Sequence, residues 1–311
     1  MKYEFGRLSR REFMRASAAG ALAALLPGRL LWGDSANAAT KVWVFHGPDR
    51  TRLMNACLAA IDENGGLGTN AENVKKLTLK VNAAWARPAR FAANTNPELV
   101  DAFLKGCRKR GVKELLLPEH PCDRATESFS QSGIQAVAKD NGARMLDLRS
   151  ERNAFTPQAV PKGKNLKKAD VARDVLETDA LVNLPIVKHH GAARMTAGMK
   201  NWMGSVYDRG VWHRNYLHQC IVDFNTFLRP QWSILDATSI MMDRGPKGPT
   251  RNMKTPNLLI LSRDPVAADA YASTLLCPRG PRDVQYLMIA GQMGLGEINL
   301  DRMSVEKIEA E

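Results

Sequence analysis

Short apolar runs alternate along the chain with longer segments whose apolar residues recur at helical spacing. Residues 41–47 (KVWVFHG) and 76–84 (KLTLKVNAA) predict strands, because the first is rich in β-branched and aromatic residues and the second alternates apolar with polar positions. Between them, residues 49–66 place apolar side chains on one helical face and end in paired glycines, which predicts a helix.

The alternation of the two patterns continues through most of the chain. We predict further strands at residues 113–119, 143–148, 180–187, 233–242 and 257–262, and further helices at residues 96–111, 128–142, 170–179 and 264–276. Strands separated by helices at this spacing indicate an α/β fold with a mixed, largely parallel sheet and helices on both faces.

Residues 39–311 are predicted to form a single α/β domain. Within them, residues 149–168 have the weakest pattern, with two prolines and many charges. This segment is either a surface excursion or a linker that divides the domain into two α/β lobes near residues 150–168. The sequence leaves both arrangements open.

Polar side chains follow several of the predicted strands directly. In an α/β sheet, ligands bind beyond the carboxyl ends of the strands, so these positions are candidate binding residues. The candidates from this rule are Lys80, Asn82, Lys188, His189, His190, Asp236 and Asp264. Asp236 lies within its predicted strand, and the others lie at or just beyond strand ends.

A second polar group follows the predicted strand at residues 180–187. Lys200 and Asn201 close a loop of small residues, and Thr196 is placed to cap a short helix that would put Lys200 and Gly204 on one face. A lysine near a dry pocket can act as a base or nucleophile, or hold a carboxylate or phosphate if it stays charged. The alternative is a set of solvated surface charges.

The remaining histidines and the cysteines exclude several metal motifs. His213 and His218 are five residues apart on a predicted helix, which is not the spacing that aligns two ligands, so both are predicted at the helix surface unless one reaches the pocket. No C-x-x-C pair exists among the five cysteines, so ribbon-type zinc and iron–sulfur motifs are absent. We predict no metal site, while a metal-dependent hydrolase using His189, His190 and Asp236 remains a weaker hypothesis.

The N-terminal segment resembles an export signal. Arg10 and Arg11 stand side by side with Phe13 two residues later, an apolar run of about ten residues follows, and residues 36–38 (ANA) fit a cleavage site. We therefore predict a twin-arginine signal at residues 1–38, a periplasmic or extracellular protein, and the twin-arginine export machinery as a partner. The alternatives are an ordinary secretory signal and an uncleaved amphipathic helix.

The balance of charge favours anionic partners. The formal net charge is +12, and the basic residues are scattered rather than in one run. Nucleic acid is an unexpected partner for an exported protein, so a small anionic ligand is the expected one. No second long apolar segment follows the signal, so we predict no membrane span in the mature chain.

Four segments resemble the domain-of-unknown-function family 362. They are the Asn-Pro-Glu helix start at residue 96, the Pro-x-x-Lys-x-His strand end at residue 185, the Lys-Asn-x-x-Gly turn at residue 200, and the Asp-Pro-x-Ala-x-Asp helix start at residue 264. The chain departs from the family at Pro118-Glu119-His120-Pro121, where relatives often have Gly-Asp-Ser. It also lacks the ferredoxin segment of some relatives, so electron transfer would require a separate redox partner.

The resemblance implies an α/β fold and leaves the activity undefined. His190 and Lys200 are also similar to a strand-end histidine and lysine of the nickel-pincer lactate racemases, where the lysine holds the cofactor and the histidine acts on the α-proton of the substrate. We expect an enzyme that uses His190 and Lys200 for proton transfer or redox-linked chemistry on a small anionic substrate or cofactor. The alternative is a non-catalytic binding or accessory protein for a periplasmic redox enzyme. The sequence identifies no cofactor.

Overall fold

The computed structural model describes residues 39–68 and 74–310, so the predicted export signal lies outside it. Fourteen strands occur in these ranges. They are β1 (Thr40–His46), β2 (Lys76–Val81), β3 (Glu114–Glu119), β4 (Arg144–Asp147), β5 (Phe155–Ala159), β6 (Lys168–Ala172), β7 (Ala180–Leu184), β8 (Lys188–His190), β9 (Arg194–Thr196), β10 (Trp232–Ala237), β11 (Ile240–Met241), β12 (Met253–Lys254), β13 (Leu258–Ser262) and β14 (Met303–Glu309).

Eight of these strands form one sheet in the order β14-β1-β13-β10-β7-β2-β3-β4. All neighbouring pairs are parallel except the two that β13 makes with β1 and β10. The prediction of a mixed, largely parallel sheet is therefore confirmed. The remaining strands form three small antiparallel pairs: β5 with β6, β8 with β9, and β11 with β12.

Ten α-helices connect the strands of the described residues. They are α1 (Arg50–Glu63), α2 (Pro97–Lys109), α3 (Ala125–Gln131), α4 (Ile134–Asp140), α5 (Arg173–Leu176), α6 (Gly198–Asn201), α7 (Gly210–Arg214), α8 (Leu217–Phe227), α9 (Pro265–Leu276) and α10 (Gln285–Gln292). In these ranges, no helix combines the length and the apolar character that a membrane crossing needs.

The sheet has a hydrophobic core on each face. Successive side chains of a strand point to opposite faces, so Val42 and Val44 of β1 enter one core, while Trp43 and Phe45 enter the other. The first core also contains buried residues of α8 and α9, and the second those of α1 and α2. The expected helices therefore cover both faces.

Three predicted helices differ from the observed ones. The helix expected at residues 128–142 is broken at Gly133, whose φ of 78° cannot continue a helix. The helix expected at residues 170–179 begins as a strand, because residues up to Ala172 pair with β5. The helix expected to carry both His213 and His218 is two helices, α7 and α8, separated where Tyr216 adopts a φ of 67°.

The weakly patterned segment at residues 149–168 contains β5 and ends where β6 begins, so it forms part of the β5–β6 hairpin. Strand β6 of this hairpin contacts the residues after α6, because Val171 bridges to Val206 and Tyr207 N donates to Asp170 O at 3.0 Å. A division of the chain near residues 150–168 stays a prediction.

The strand order contains a switch point between β2 and β7. From β2 the chain continues to β3 and β4 on one side, while from β7 it continues to β10 on the other side. At such a point the two connections diverge and leave a crevice beyond the carboxyl ends of the strands. The fold therefore provides one preferred place for a ligand, at the ends of β2, β3 and β7.

Candidate functional site

A cavity of about 170 Å³ lies at this switch point. The residues that line it come from the loop after β2, the end of β3, the β8–β9 hairpin, helix α6 and the turn after it, and helix α7. Several sequence-predicted residues line the cavity, namely Asn82, Lys188, His190, Lys200, Asn201 and Gly204. The structure brings these six together although they are spread over more than a hundred positions of sequence.

A buried ion pair lies beside the cavity. Lys80 Nζ donates to Glu119 Oε2 at 3.0 Å, and both residues are almost fully inaccessible to solvent. Glu119 Oε2 also accepts from Ala83 N at 2.9 Å, and Lys80 Nζ donates to the carbonyl of Val81. Burial lowers the pKa of Lys80, and the charge of Glu119 opposes that shift. Lys80 therefore neutralises Glu119 rather than contacting a ligand directly.

Glu119 is a site residue that the sequence argument missed. Glu119 is the last residue of β3 and directly follows the apolar run LLLP. The strand-end rule that was applied to the other strands would therefore have identified it. Glu119 lines the cavity, whereas Lys80 lies behind it. The end of β3 at Pro118-Glu119 is thus part of the site.

Gly204 lies against this ion pair. A Cβ atom at this position would come within 2.0 Å of Glu119 Oε1 and 2.9 Å of Lys80 Nζ. Gly204 belongs to the short 3₁₀ turn Trp202–Ser205 that directly follows α6. The absence of a side chain therefore lets this turn cover the ion pair.

Three buried asparagines connect β2, β7 and α6 by their side chains. Asn201 Nδ2 donates to Asn183 Oδ1 at 2.9 Å, and Asn201 Oδ1 accepts from Asn82 Nδ2 at 3.1 Å. Asn183 Nδ2 in turn donates to Gly198 O at 2.9 Å. Buried amides are costly without partners, so this chain of bonds fixes α6 against the strand ends. Asn183 was not predicted, because it lies within the apolar run of β7.

Lys188 is held at the end of this chain. Its Nζ donates to Asn82 Oδ1 at 3.3 Å and to the carbonyl of Ala93, and the residue is fully buried. Burial, followed by the nearby charge of Lys200, lowers the pKa of Lys188 to about 7. Near neutral pH, Lys188 therefore exists in both charged and neutral forms.

Asp269 positions the segment that carries Lys200. Its carboxylate accepts from Gly198 N at 2.6 Å, from Met199 N at 3.0 Å and from Tyr286 Oη at 3.1 Å. Burial raises the pKa of Asp269 to about 7, while these bonds oppose the shift. Asp269 is the second aspartate of the Asp-Pro-x-Ala-x-Asp motif, which was the signal for it.

The expected helix cap by Thr196 is wrong. Thr196 ends β9, and the amides at the start of α6 are bonded by Asp269 from helix α9 instead. Thr196 lines the cavity, and its Oγ1 is buried without a hydrogen-bond partner among the described residues. A buried hydroxyl of this kind is available to a ligand.

Lys200 and His190 differ in which of their polar atoms are without a hydrogen bond to the described residues. Lys200 is half-buried and makes no hydrogen bond or ion pair with the described residues; burial lowers its pKa to about 8.

His190 Nδ1 accepts from Ala193 N at 3.1 Å, so the ring is neutral and carries its proton on Nε2. Burial, then the charges of Lys200 and Lys188, lower the pKa of His190 to about 2. At neutral pH His190 is a hydrogen-bond donor rather than a base.

Three further polar residues outside the predicted site set line the cavity. Arg209 donates to His120 O at 2.7 Å and to Pro121 O at 2.8 Å, which directs it along the loop after β3. His213 of α7 lines the cavity, and burial, followed by the charge of Lys200, lowers its pKa. Cys122 also lines it, and burial raises the pKa of this thiol.

Two predicted binding aspartates do not line the cavity. Asp236 is fully buried and accepts from Thr238 N at 3.0 Å and from Asn96 N at 2.9 Å, so it joins β10 to the start of α2. Asp264 caps α9 by accepting from Val266 N at 2.8 Å. Both carboxylates are engaged by backbone amides and hold the fold together away from the cavity.

His189 faces away from His190. Its Nδ1 accepts from Gly245 N at 3.1 Å, so it contacts the loop between β11 and β12 rather than the cavity. Neighbouring residues of a strand point to opposite sides, which separates the two histidines. Among residues 39–68 and 74–310, no group of three or more His, Cys, Asp or Glu side chains is arranged to hold a metal ion. All five cysteines are free thiols.

The fold and the cavity define an α/β protein with a lysine-rich cavity at the switch point of its sheet. The chain belongs to the DUF362 family, described as a domain of unknown function, whose model matches residues 77–274. It is 24% identical over 234 residues to a thylakoid-associated protein of Synechocystis, covering 72% of this chain and 70% of that protein.

Two solved structures are similar in fold. A crystal structure from Thermotoga maritima has a TM-score of 0.50 and 13% identity, covering 75% of this chain and 60% of its own. The lactate racemase apoprotein from Thermoanaerobacterium thermosaccharolyticum has a TM-score of 0.42 and 15% identity, covering 71% and 54%. The chain thus spans less than two thirds of either structure, and the first likeness supports the α/β fold.

The contact of Gly204 with the buried ion pair predicts a large stability effect. Gly204→Ala should lower the free energy of unfolding by about 2–4 kcal/mol, because the added methyl displaces Glu119 or Lys80. Gly191→Ala is the matched control, since the nearest atom to its added methyl is 4.0 Å away; its change should stay within about 0.5 kcal/mol. Urea denaturation of both variants measures the difference, and equal stabilities would contradict the proposed contact.

Proposed function

We propose that the cavity binds a small anionic molecule and that Lys200 exchanges a proton with it. The observation that carries the proposal is the imbalance between donors and acceptors in the lining. The donors of Lys200, Thr196 Oγ1 and His190 Nε2 make no hydrogen bond with the described residues. A ligand that satisfies them must supply acceptors, which is the property of a carboxylate or a similar anion.

Most acceptors nearby are already used. Asn82 Oδ1 accepts from Lys188, Asn201 Oδ1 accepts from Asn82, and Glu119 Oε2 accepts from Lys80, while Glu119 Oε1 lies against Gly204. A cationic or donor-rich ligand would compete with these internal bonds and leave the free donors unsatisfied. The lining therefore favours an anion over an amine or a neutral sugar.

The size of the cavity supports a small ligand. Its volume of about 170 Å³ is close to that of the roughly 150 Å³ engineered cavities that accept benzene. Drug-sized ligands and nucleotides occupy sites of about 300–1,000 Å³. A molecule with a single short carbon chain, such as a small carboxylic acid, matches the space.

The residues support a proton-transfer reaction with a simple division of roles. Lys188 and Arg209 hold the anionic group of the substrate by charge. Lys200 in its neutral form accepts a proton from the carbon next to that group, and becomes an ammonium that returns the proton afterwards. His190 Nε2 donates a hydrogen bond to the oxygen on which negative charge develops. The pKa of Lys200, about 8, is close to the value at which an amine serves both steps.

Lys200→Met tests this role. The purified protein should incorporate solvent deuterium at the carbon next to the carboxylate of its substrate, detected by NMR across a panel of small carboxylic acids. Lys200→Met should lower that rate at least about 100-fold, because the proton acceptor is removed. Lys113→Met is the control, since Lys113 is exposed just before the start of β3, whereas the cavity lies at the other end of that strand, beside Glu119.

The same experiment separates the enzyme from a non-catalytic protein. If the wild-type protein binds an acid from the panel but incorporates no deuterium, the proton-transfer role is wrong and an anion-binding or accessory function is favoured. A large drop in the melting temperature of Lys200→Met would instead assign Lys200 a structural role. Retained exchange in a stable Lys200→Met protein also contradicts the proposal.

The affinity for an inert anion should fall at alkaline pH. Lys188 and Lys200 attract an anion only while they are charged, so affinity is full only below about pH 7 and declines as pH rises through the pKa values of the two lysines, which the anion raises in the complex. The Kd for sulfate, measured by calorimetry between pH 6 and pH 10, should rise by up to about tenfold per pH unit for each lysine and level off above the pKa values of the complex. His190 stays neutral throughout this range and contributes no dependence.

We also propose export through the twin-arginine pathway, on the basis of the residues around Arg10 and Arg11. Changing both to lysine should retain the full-length chain in the cytoplasm, because the paired arginines are the recognised feature. Arg15→Lys changes a neighbouring arginine outside the pair and should leave export intact. Cell fractionation measures where each variant accumulates, and the length of the chain on a gel shows whether the signal has been cleaved. Unchanged export of the double variant would overturn this localisation.

A further inference from the structure

We propose that the ligand of the cavity carries two negative charges rather than one. The inference rests on the proposed small-anion site and names its ligand class: a dianion such as a short dicarboxylate or a phosphate- or sulfate-like group. It follows from the number of cations in the lining and from the pairing of the nearby Glu119 carboxylate with Lys80.

Three cations line the cavity, namely Lys188, Lys200 and Arg209. Among the described residues none of the three forms an ion pair with a carboxylate, since their hydrogen bonds go to an amide oxygen or to backbone carbonyls, or are absent for Lys200. Glu119 is the one carboxylate of the described lining, and Lys80 balances its charge at 3.0 Å. The lining therefore holds up to three positive charges without compensation.

A ligand with a single negative charge would leave up to two of these cations without a compensating charge in a poorly solvated cavity. A second negative charge removes most of that repulsion, so it contributes more here than at an exposed site. The buried hydroxyl of Thr196 and the Nε2–H of His190 supply two further donors for the additional acceptor oxygens. Charge and hydrogen-bonding capacity thus both favour a dianion.

Proton uptake is a second consequence of this arrangement. Lys188 and Lys200 repel each other and are partly neutral near pH 7–8, so a dianion between them raises the pKa of both. The other titratable groups that face them are Cys122, Glu119, His190 and His213, with the charge of Arg209 alongside; Lys80 balances the charge of Glu119. Both histidines have lowered pKa values and the thiol a raised one, so all three are neutral at pH 7.5.

Calorimetry with two probes of similar shape tests the inference. Sulfate and methanesulfonate are both tetrahedral, do not titrate near neutral pH, and differ by one charge. At pH 7.5, sulfate should bind at least about tenfold more tightly than methanesulfonate. Repeating the titration in buffers of different ionisation enthalpy should show an uptake of up to about one proton for sulfate and less for methanesulfonate.

Two variants connect the preference to the cavity. Lys200→Gln should reduce the affinity ratio of sulfate to methanesulfonate to about threefold or less, because one cation is lost. Lys113→Gln removes the same charge from an exposed position at the other end of β3, and it should leave the ratio unchanged. The comparison of the two probes on the wild-type protein decides the inference even if Lys200→Gln does not fold.

The outcomes separate this inference from the proposed function. Similar affinities for both probes, with little proton uptake, would overturn the dianion preference and leave the small-anion site standing. No binding of either probe at 10 mM or below, a threshold of about 3 kcal/mol in binding free energy, would overturn both. Tight sulfate binding that Lys113→Gln weakens as much as Lys200→Gln does would place the anion on the general basic surface and overturn both as well.

Discussion

The cavity depends on the buried ion pair between Lys80 and Glu119. This pair joins the ends of β2 and β3, bonds the backbone at Ala83 and is covered closely by Gly204. A buried pair adds little net stability, but either partner alone would be an unpaired charge in the interior. Lys80 cancels the one negative charge of the described lining, which leaves the charges of the cations beside it without a carboxylate partner.

The second constraint is the position of α6, which carries Lys200 and Asn201 in a helix of only four residues. So short a helix cannot hold its own geometry, and it depends on partners from elsewhere in the chain. Asp269 bonds its first amides from helix α9, and Asn183 bonds the carbonyl of Gly198 from β7. Packing of α9 against the sheet is therefore linked directly to the orientation of Lys200.

The sequence was informative where local rules apply. Alternating strand and helix patterns predicted the α/β class, and the strand-end rule gave Asn82, Lys188 and His190. It failed where partners are distant, since Asp236 bonds Asn96 N and Asp269 reaches Gly198 across 71 positions of sequence. Asp264 was misassigned for a local reason, because its carboxylate caps the start of its own helix at Val266 N. The antiparallel direction of β13 had no signal either, because a buried strand has the same pattern in both directions.

The uncompensated lysines also have a meaning for the evolution of the protein. Lys188 is fully buried, and under the proposed function a bound anion offsets part of the free energy that its burial costs. A well-packed apolar residue at position 188 would stabilise the isolated fold and remove this cation from the proposed site. Under the proposed function, selection for ligand binding therefore opposes selection for stability at position 188.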